Sequence, residues 1–352
     1  MATSKQEATA AAAQQLGSMS LKESAKRKDD DAEPAEKNGT TPTKELCSAC
    51  GKESDALKKC TACKCVWYCD KKCQNKHRKE HKHECRRIKK ELDKRGGKLD
   101  VGFEVDIGPL GKLPQREECP ICMLVLPLQK KLHKYYGCCG KSICAGCEYQ
   151  HQIKSGNQYT CAFCREPIPK TEKEYVAQLS KRVELKDPQA LCNMGMYYGR
   201  GMCGLSVDQT KCIDLLRESA SLGYPIAHYH LATIHFNGEM GLAQNKEEAF
   251  KYTEKAAEGG DLISRHNLGW DAQSNGDHAA AMHNYRMCAS GGFRRSMEDL
   301  IGAFGAGLLH HADLAKTMQS FYRSRAEMMS KDRQQFIEHL KEIGEYEAED
   351  DM

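Results

Sequence analysis

Sixteen of the twenty cysteines in this 352-residue chain lie between Cys47 and Cys164, nearly all in pairs separated by two or three residues. Two intervening residues let both thiolates of a pair reach one tetrahedral zinc from a single tight turn, whereas a disulfide across so short a loop is usually strained. The chain therefore reads first as a zinc protein, with zinc as its expected cofactor. Thiols stay reduced and free for metal in the cytosol and nucleus, so a cytoplasmic or nuclear location is expected. No apolar run approaches the roughly 18 residues of a membrane span, and Met1 to Gly17 lacks the apolar core of a signal peptide. No membrane partner is expected.

Composition changes divide the rest. Residues 1–45 are poor in aromatics and rich in Ala, Ser, Lys, Glu and Asp, a mixture that buries too little apolar surface to offset chain entropy and is expected to be disordered. The basic triplet Lys26, Arg27 and Lys28 has the composition of a nuclear signal. It runs directly into Asp29, Asp30 and Asp31, which favours a solvated mixed-charge tail. Two cysteine-rich modules follow at 46–86 and 118–168. Between them, 87–117 reads as a basic helix stopped by Gly96 and Gly97, then a linker. Residues 175–330 turn to Ala, Gly, Leu and Tyr with helical periodicity, and 331–352 reads as an acidic tail. The fold class expected is multidomain: two small zinc-stabilised α+β modules, then an all-α helical-repeat solenoid.

In the first module the candidate ligands are Cys47, Cys50, Cys60, Cys63, Cys69, Cys73, His81 and Cys85, enough for two zincs. So small a module has too little core to fold without metal. The succession, with Tyr68 before Cys69, Gln74 after Cys73, and His81-Lys82 shortly before Cys85, resembles a MYND-type zinc finger. That resemblance implies interleaved sites: Cys47, Cys50, Cys69 and Cys73 on one zinc, Cys60, Cys63, His81 and Cys85 on the other, with Cys65 spare. It also implies a reader of short proline-containing peptide motifs, although Arg78 stands where such fingers usually carry an aromatic. Trp67 and Tyr68 either line such a groove or pack beside the metals. From Lys76 to Arg95 there are ten Lys/Arg against four acids. With no aromatics present, this run is expected to be a solvated helix face and not a nucleic-acid site.

The second module offers Cys119, Cys122, Cys138, Cys139, Cys144, Cys147, Cys161 and Cys164, so four zincs are expected in all. Its runs CPIC, GCCGKSICAGC and CAFCR resemble a RING finger. The family's cross-brace would put Cys119, Cys122, Cys144 and Cys147 on one zinc and Cys138, Cys139, Cys161 and Cys164 on the other. Lys141 replaces the usual RING histidine and Ala162 the usual proline. Gly137 and Gly140 allow the backbone to turn so that both adjacent cysteines bind; His133 is the substitute ligand if they cannot. The resemblance implies a ubiquitin-conjugating enzyme as partner, touched by Ile121 and extended by Leu124, Leu126 and Pro127. It also implies that Arg165 bridges that enzyme and ubiquitin. Each has a plain alternative: packing of the knuckle for Ile121, a solvated side chain for Arg165.

In the C-terminal half, Gly223, Gly260 and Gly292 recur at intervals of 37 and 32 residues, each preceded three residues earlier by alanine and followed four later by a small residue. Ser219, Ala220, Ala256 and Ala257 would let helices approach closely. This resembles Sel-one-like repeats, relatives of tetratricopeptide repeats, over about 187–330 as three units and a degenerate fourth. The shorter interval reflects loss of a loop between Asn275 and Asp277. Such repeats stack into one core and present a concave surface to a partner. Tyr197, Tyr198, Tyr229, His230 and Asn267 either line that surface or fill between helices. Met194, Met196, Met202, Cys192, Cys203, Cys212 and Cys288 are expected to pack within helices, and the neighbours His310 and His311 point apart on a helix and do not make a metal pair.

Phosphate-binding, dinucleotide-binding and nucleophile-elbow motifs are missing, as is the SET signature that sometimes accompanies a MYND finger. The RING resemblance implies a RING-type ubiquitin ligase with no covalent catalytic residue, in which the repeats and the MYND finger recruit protein substrates or peptide motifs. The alternative is a non-enzymatic, zinc-stapled interaction adaptor.

Overall fold

The computed structural model describes residues 45–54, 56–99, 113–156 and 159–346. The N-terminal segment with its basic triplet, and the end of the acidic tail, lie outside these residues apart from Glu45.

The first finger is built from two minimal strands, β1 (Lys58–Lys59) and β2 (Trp67–Tyr68), paired antiparallel, and a 24-residue helix α1 (Lys71–Lys94). The Asp70 side chain accepts from the Cys73 backbone N–H and starts α1, and Gly96 and Gly97 follow its end in left-handed conformations. The basic helix expected after the finger is thus the second half of a helix that begins inside it. The second finger pairs β3 (His133–Tyr136) with β4 (Lys141–Cys144), and α2 (Ala145–Lys154) follows at once.

Ten helices make up the remainder. The first is α3 (Glu172–Glu184), and four antiparallel pairs follow. They are α4 (Pro188–Arg200) with α5 (Gln209–Ser221), α6 (Pro225–Asn237) with α7 (Lys246–Glu258), α8 (Leu262–Ser274) with α9 (His278–Ser290), and α10 (Arg294–Ala306) with α11 (His311–Glu327). The last helix is α12 (Lys331–Glu342). Starts and stops are encoded locally: Asp187, Asp208, Asn245, Asp261 and Asp277 cap helix N-termini, Pro188 and Pro225 occupy first turns, and Gly201 and Gly238 close α4 and α6 in the left-handed region. The connection inside a pair runs over 201–208 and 238–245 in the first two units but only 275–277 in the third, which accounts for the drop in repeat interval. Ser219, Ala220, Ala256 and Ala257 are all buried, and a Cβ on Gly269 would come within 2.8 Å of the Tyr285 ring. The pairs therefore stack at the small-residue contacts expected of them.

Two expectations need correction. Residues 331–342 are helix and not tail: Ser330 caps α12, whose Ile337 and Leu340 are buried with Leu132 of the second finger. Their apolar spacing was masked by the surrounding charge. Cys203 and Met202 lie in the 201–208 loop, Cys203 with positive φ and Met202 exposed, because the glycine-rich segment ends α4 before they can join it.

Both fingers are packed into the helical array. The first shares one core with the last repeats, in which Val66, Ile88 and Leu92 meet Phe304, Phe321 and Tyr322. Arg95 donates to the carbonyls of Phe304 and Gly305. The second finger reaches the array from two sides. Tyr135 packs with Leu179 and Ala190 and bonds Asp187 at 2.9 Å, while α12 lies on α2, where Tyr149 meets Phe336 and His339. That contact is closest at Gly146, where a Cβ would fall 2.6 Å from the Arg333 backbone nitrogen. Gly146→Ala is expected to push α12 off the finger at a cost of about 1–3 kcal/mol. Hydrogen exchange should quicken over residues 331–342 with zinc content unchanged; unaltered protection there would refute the contact's importance.

Candidate metal centres

Four of the close cysteine pairs are presented by the same device. In the pairs beginning at Cys47, Cys60, Cys119 and Cys161, the residue just after the second cysteine donates its backbone N–H to the carbonyl of the first, at 2.8–3.0 Å. That residue is Gly51, Lys64, Met123 or Arg165, and all four have left-handed backbones. For the three that are not glycine this is an uncommon conformation, tolerated where the surroundings over-determine it. The turn tips both sulfurs toward one point.

Four clusters result, each with its ligand atoms within 4.8 Å of one another: Cys47, Cys50, Cys69 and Cys73; Cys60, Cys63, His81 and Cys85; Cys119, Cys122, Cys144 and Cys147; Cys138, Cys139, Cys161 and Cys164. These are all sixteen ligands named from the sequence, grouped in the two interleaved patterns. The spacing is that of a metal shell. A zinc–sulfur bond of about 2.3 Å places tetrahedral neighbours about 3.8 Å apart. Between pairs, Cys50 and Cys69 sulfurs lie 3.6 Å apart, Cys60 and Cys85 3.7 Å, Cys122 and Cys144 3.8 Å, and Cys139 and Cys161 3.9 Å. No cysteine is in a disulfide. His133 is in no cluster; its Nδ1 faces the Gln129 carbonyl, and the left-handed Gly140 turns the chain so that Cys138 and Cys139 both contribute.

Crowded thiols cannot all ionise unaided. The Cys144 thiol holds Cys119 down at about 4, while burial pushes Cys147 up to about 12. In the first finger, hydrogen bonding with Cys50 raises Cys69 to about 11, and burial raises Cys73 to about 12. A divalent cation with soft-ligand affinity removes that conflict, and three-sulfur-one-nitrogen and four-sulfur sets are those of structural zinc, closed to substrate.

The partners behind the ligands come from the far end of the chain. His81 faces Cys63 through Nε2 at 3.2 Å, and its Nδ1 lies 3.1 Å from the Tyr322 hydroxyl. Such an outer partner fixes the ring and its tautomer. The spare thiol Cys65 is fully buried 3.2 Å from His311 Nε2, which also meets the Cys63 carbonyl. In the second finger, the guanidinium of Arg333 is 3 % exposed; it donates to the carbonyls of Leu124, Val125 and Met328 and reaches Cys122 Sγ at 3.4 Å. Arg116, just before the finger, similarly bonds the Gly291 and Leu126 carbonyls and Ser324. None of these residues carries a local motif, and most of these contacts join positions 175 to 248 apart, which leaves no periodic signal to find them.

The surface residues divide unevenly. Ile121 is 42 % exposed and Arg165 is exposed, its Nη1 2.5 Å from His151 Nδ1. Leu126 and Pro127, expected beside Ile121, are turned inward; Met123 and Phe163 are exposed instead. Trp67 and Tyr68 are both buried, Tyr68 bonded to His77 at 3.0 Å, so neither lines an open groove. Arg78 and most cations of α1 face solvent.

A MYND finger model matches residues 47–85, and a Sel1 repeat model matches 188–224 and 225–261. Among solved structures, the chain is similar to a Sel1 repeat protein from Oxalobacter formigenes, with 20 % identity, 58 % of this chain and 82 % of that one covered, and a TM-score of 0.37. It is also similar to a protective antigen present in uropathogenic Escherichia coli strains displaying an SLR fold, at 23 % identity, 58 % and 42 % coverage, and the same TM-score. The chain thus contains a MYND finger and Sel1 repeats, together with four clusters suited to zinc.

Metal analysis of the purified full chain should give four zincs, and Cys47→Ser should give three; two in the native chain would mean that one module had been misread. Tyr322→Phe should retain all four but release one at about 10-fold lower chelator concentration, the usual scale of outer-partner effects.

Proposed function

We propose that this protein is a RING-type ubiquitin ligase whose repeats recruit the protein to be modified. The observation that supports it best is the alternation in the second module, where the first and third cysteine pairs form one cluster and the second and fourth form the other. A cross-brace of this kind fixes two knuckles relative to each other without a large core. Ligases of this class hold a ubiquitin-charged conjugating enzyme so that its thioester meets a lysine in a productive geometry, which is catalysis by orientation and needs no covalent residue.

The proposed contact residues are available for that task. Ile121 keeps its exposure although Arg333 grips the same knuckle from within, and Phe163 on the opposite knuckle is 44 % exposed. Helix α12 covers the side of α2 that carries Gly146, Tyr149 and Gln150, whereas His151 turns toward Thr160 and Arg165. The left-handed backbone at Arg165 is set by the zinc knuckle, and its guanidinium rests on His151, a single exchangeable contact that a bridge to ubiquitin would replace. With Trp67 and Tyr68 buried, the MYND finger serves as a brace for the array, and recruitment falls to the repeats.

Self-ubiquitination with a panel of conjugating enzymes tests this reading. Ile121→Ala and Arg165→Ala should each slow transfer about tenfold or more, equivalent to 1.4 kcal/mol of lost transition-state stabilisation. Silence across the panel from protein holding four zincs would leave the adaptor reading in its place.

A further inference from the structure

Between the second finger and the repeats lies a cavity of about 1120 Å³. Three separate parts of the chain wall it: the approach segment from Pro114 to Glu117, the finger loop from Leu126 to Lys131, and the inner ends of α6, α8 and α10. It exists only because the finger is docked on the array.

Its lining is chemically divided. Tyr224, Tyr229, Leu262, Trp270 and Phe293 supply an apolar and aromatic wall, while three exposed cations stand around it, Lys130 and Lys131 from the finger and Arg295 from α10, with Arg116 half-buried at its edge. Glu117 and Asp261 are the acids of the lining. Asp261 is committed to the fold, accepting from the Ser264 N–H at 2.7 Å as the cap of α8. Asn267, on α8, is 8 % exposed, lines the cavity, and its Nδ2 has no hydrogen-bond partner among the described residues. A buried amide donor left unmade costs about 1–3 kcal/mol, so an acceptor brought to it is favoured.

We infer that this cavity docks a short extended segment of a partner polypeptide carrying an acidic side chain. Asn267 donates to a backbone carbonyl of the segment, Lys130 and Arg295 take the carboxylate, and Trp270 and Phe293 receive an apolar neighbour. Charge and surface select this occupant. A nucleic acid would bring closely spaced phosphates to a wall that is mainly apolar and carries the acids Glu117 and Asp261 among its cations. A peptide brings one carboxylate, one apolar group and unpaired carbonyls, which is what the lining complements. The inference deepens the ligase reading, since the docked segment would belong to the protein being modified, but binding is measured without any conjugating enzyme, so the two fail separately.

The zinc-loaded full chain is panned against a phage-displayed library of random dodecapeptides. Enriched sequences should combine Asp or Glu with an aromatic or large aliphatic residue. A synthetic peptide from that set should bind at least tenfold more weakly after Lys130→Glu, after Arg295→Glu, and after its own acid is changed to Gln. Both lysine and arginine are on the surface, so these variants fold, and melting curves check Asn267→Ala, which should weaken binding as well. The inference is overturned by a library that yields no enrichment, by enriched peptides without acids, by binding indifferent to both charge reversals, or by a random RNA dodecamer that binds equally well and displaces the peptide.

Discussion

Mutual repulsion among thiolates is the constraint on which this structure rests. Sixteen ligands are gathered into four groups with every ligand atom within 4.8 Å of its fellows, an arrangement that neutral thiols tolerate and thiolates do not unless a cation joins them. Each knuckle also holds a left-handed residue, three of them not glycine, so the backbone is bent toward a shape that it would not choose alone. The strands that accompany these knuckles are only two to four residues long, too short to build a core by themselves. Metal coordination therefore supplies what a core would supply in a larger domain.

Zinc alone leaves each finger as a small body with one apolar face, and the helical array covers those faces. Val66 and Ile88 of the first finger have no exposure because Phe304, Phe321 and Tyr322 sit against the same core. Leu132 of the second is covered by α12 and Tyr135 by α3 and α4. Arg333 shows how polar groups serve this docking. Its buried guanidinium satisfies three carbonyls at once, two of them in the finger's first knuckle, and its charge lies beside thiolate ligands, a setting that favours both partners.

Local chemistry was legible in the sequence wherever it repeats or crowds. Paired cysteines announced the ligands, and the glycines at 223, 260 and 292 marked the turns between repeats, where the backbone is left-handed as only glycine readily allows. The choice between His133 and the adjacent cysteines was not legible, because it depends on how far Gly140 turns the chain. Nor were the burial of Trp67 and Tyr68, in a core shared with Phe304, Phe321 and Tyr322, or the inward turn of Leu126 toward Tyr136 and Ile143 of its own finger: each is decided by tertiary packing that no local pattern announces. Helix α12 was hidden for a related reason, its apolar residues being spaced for contact with a finger and not with a repeating neighbour.

The same long-range docking ties the metal to the cavity. The finger loop that bears Lys130 follows directly on the knuckle that Arg333 holds, and Arg116, at the other edge of the cavity, is bonded to Leu126 of that loop and to Gly291 and Ser324 of the array. Loss of the metal at Cys119, Cys122, Cys144 and Cys147 would free the carbonyls that Arg333 gathers and loosen the wall of the cavity from the inside. Because folding and metal binding are linked, each must favour the other by the same free energy, and whatever stabilises the closed cavity also tightens that zinc. The cavity wall and the knuckle that bears Ile121 are thus two faces of one metal-dependent body.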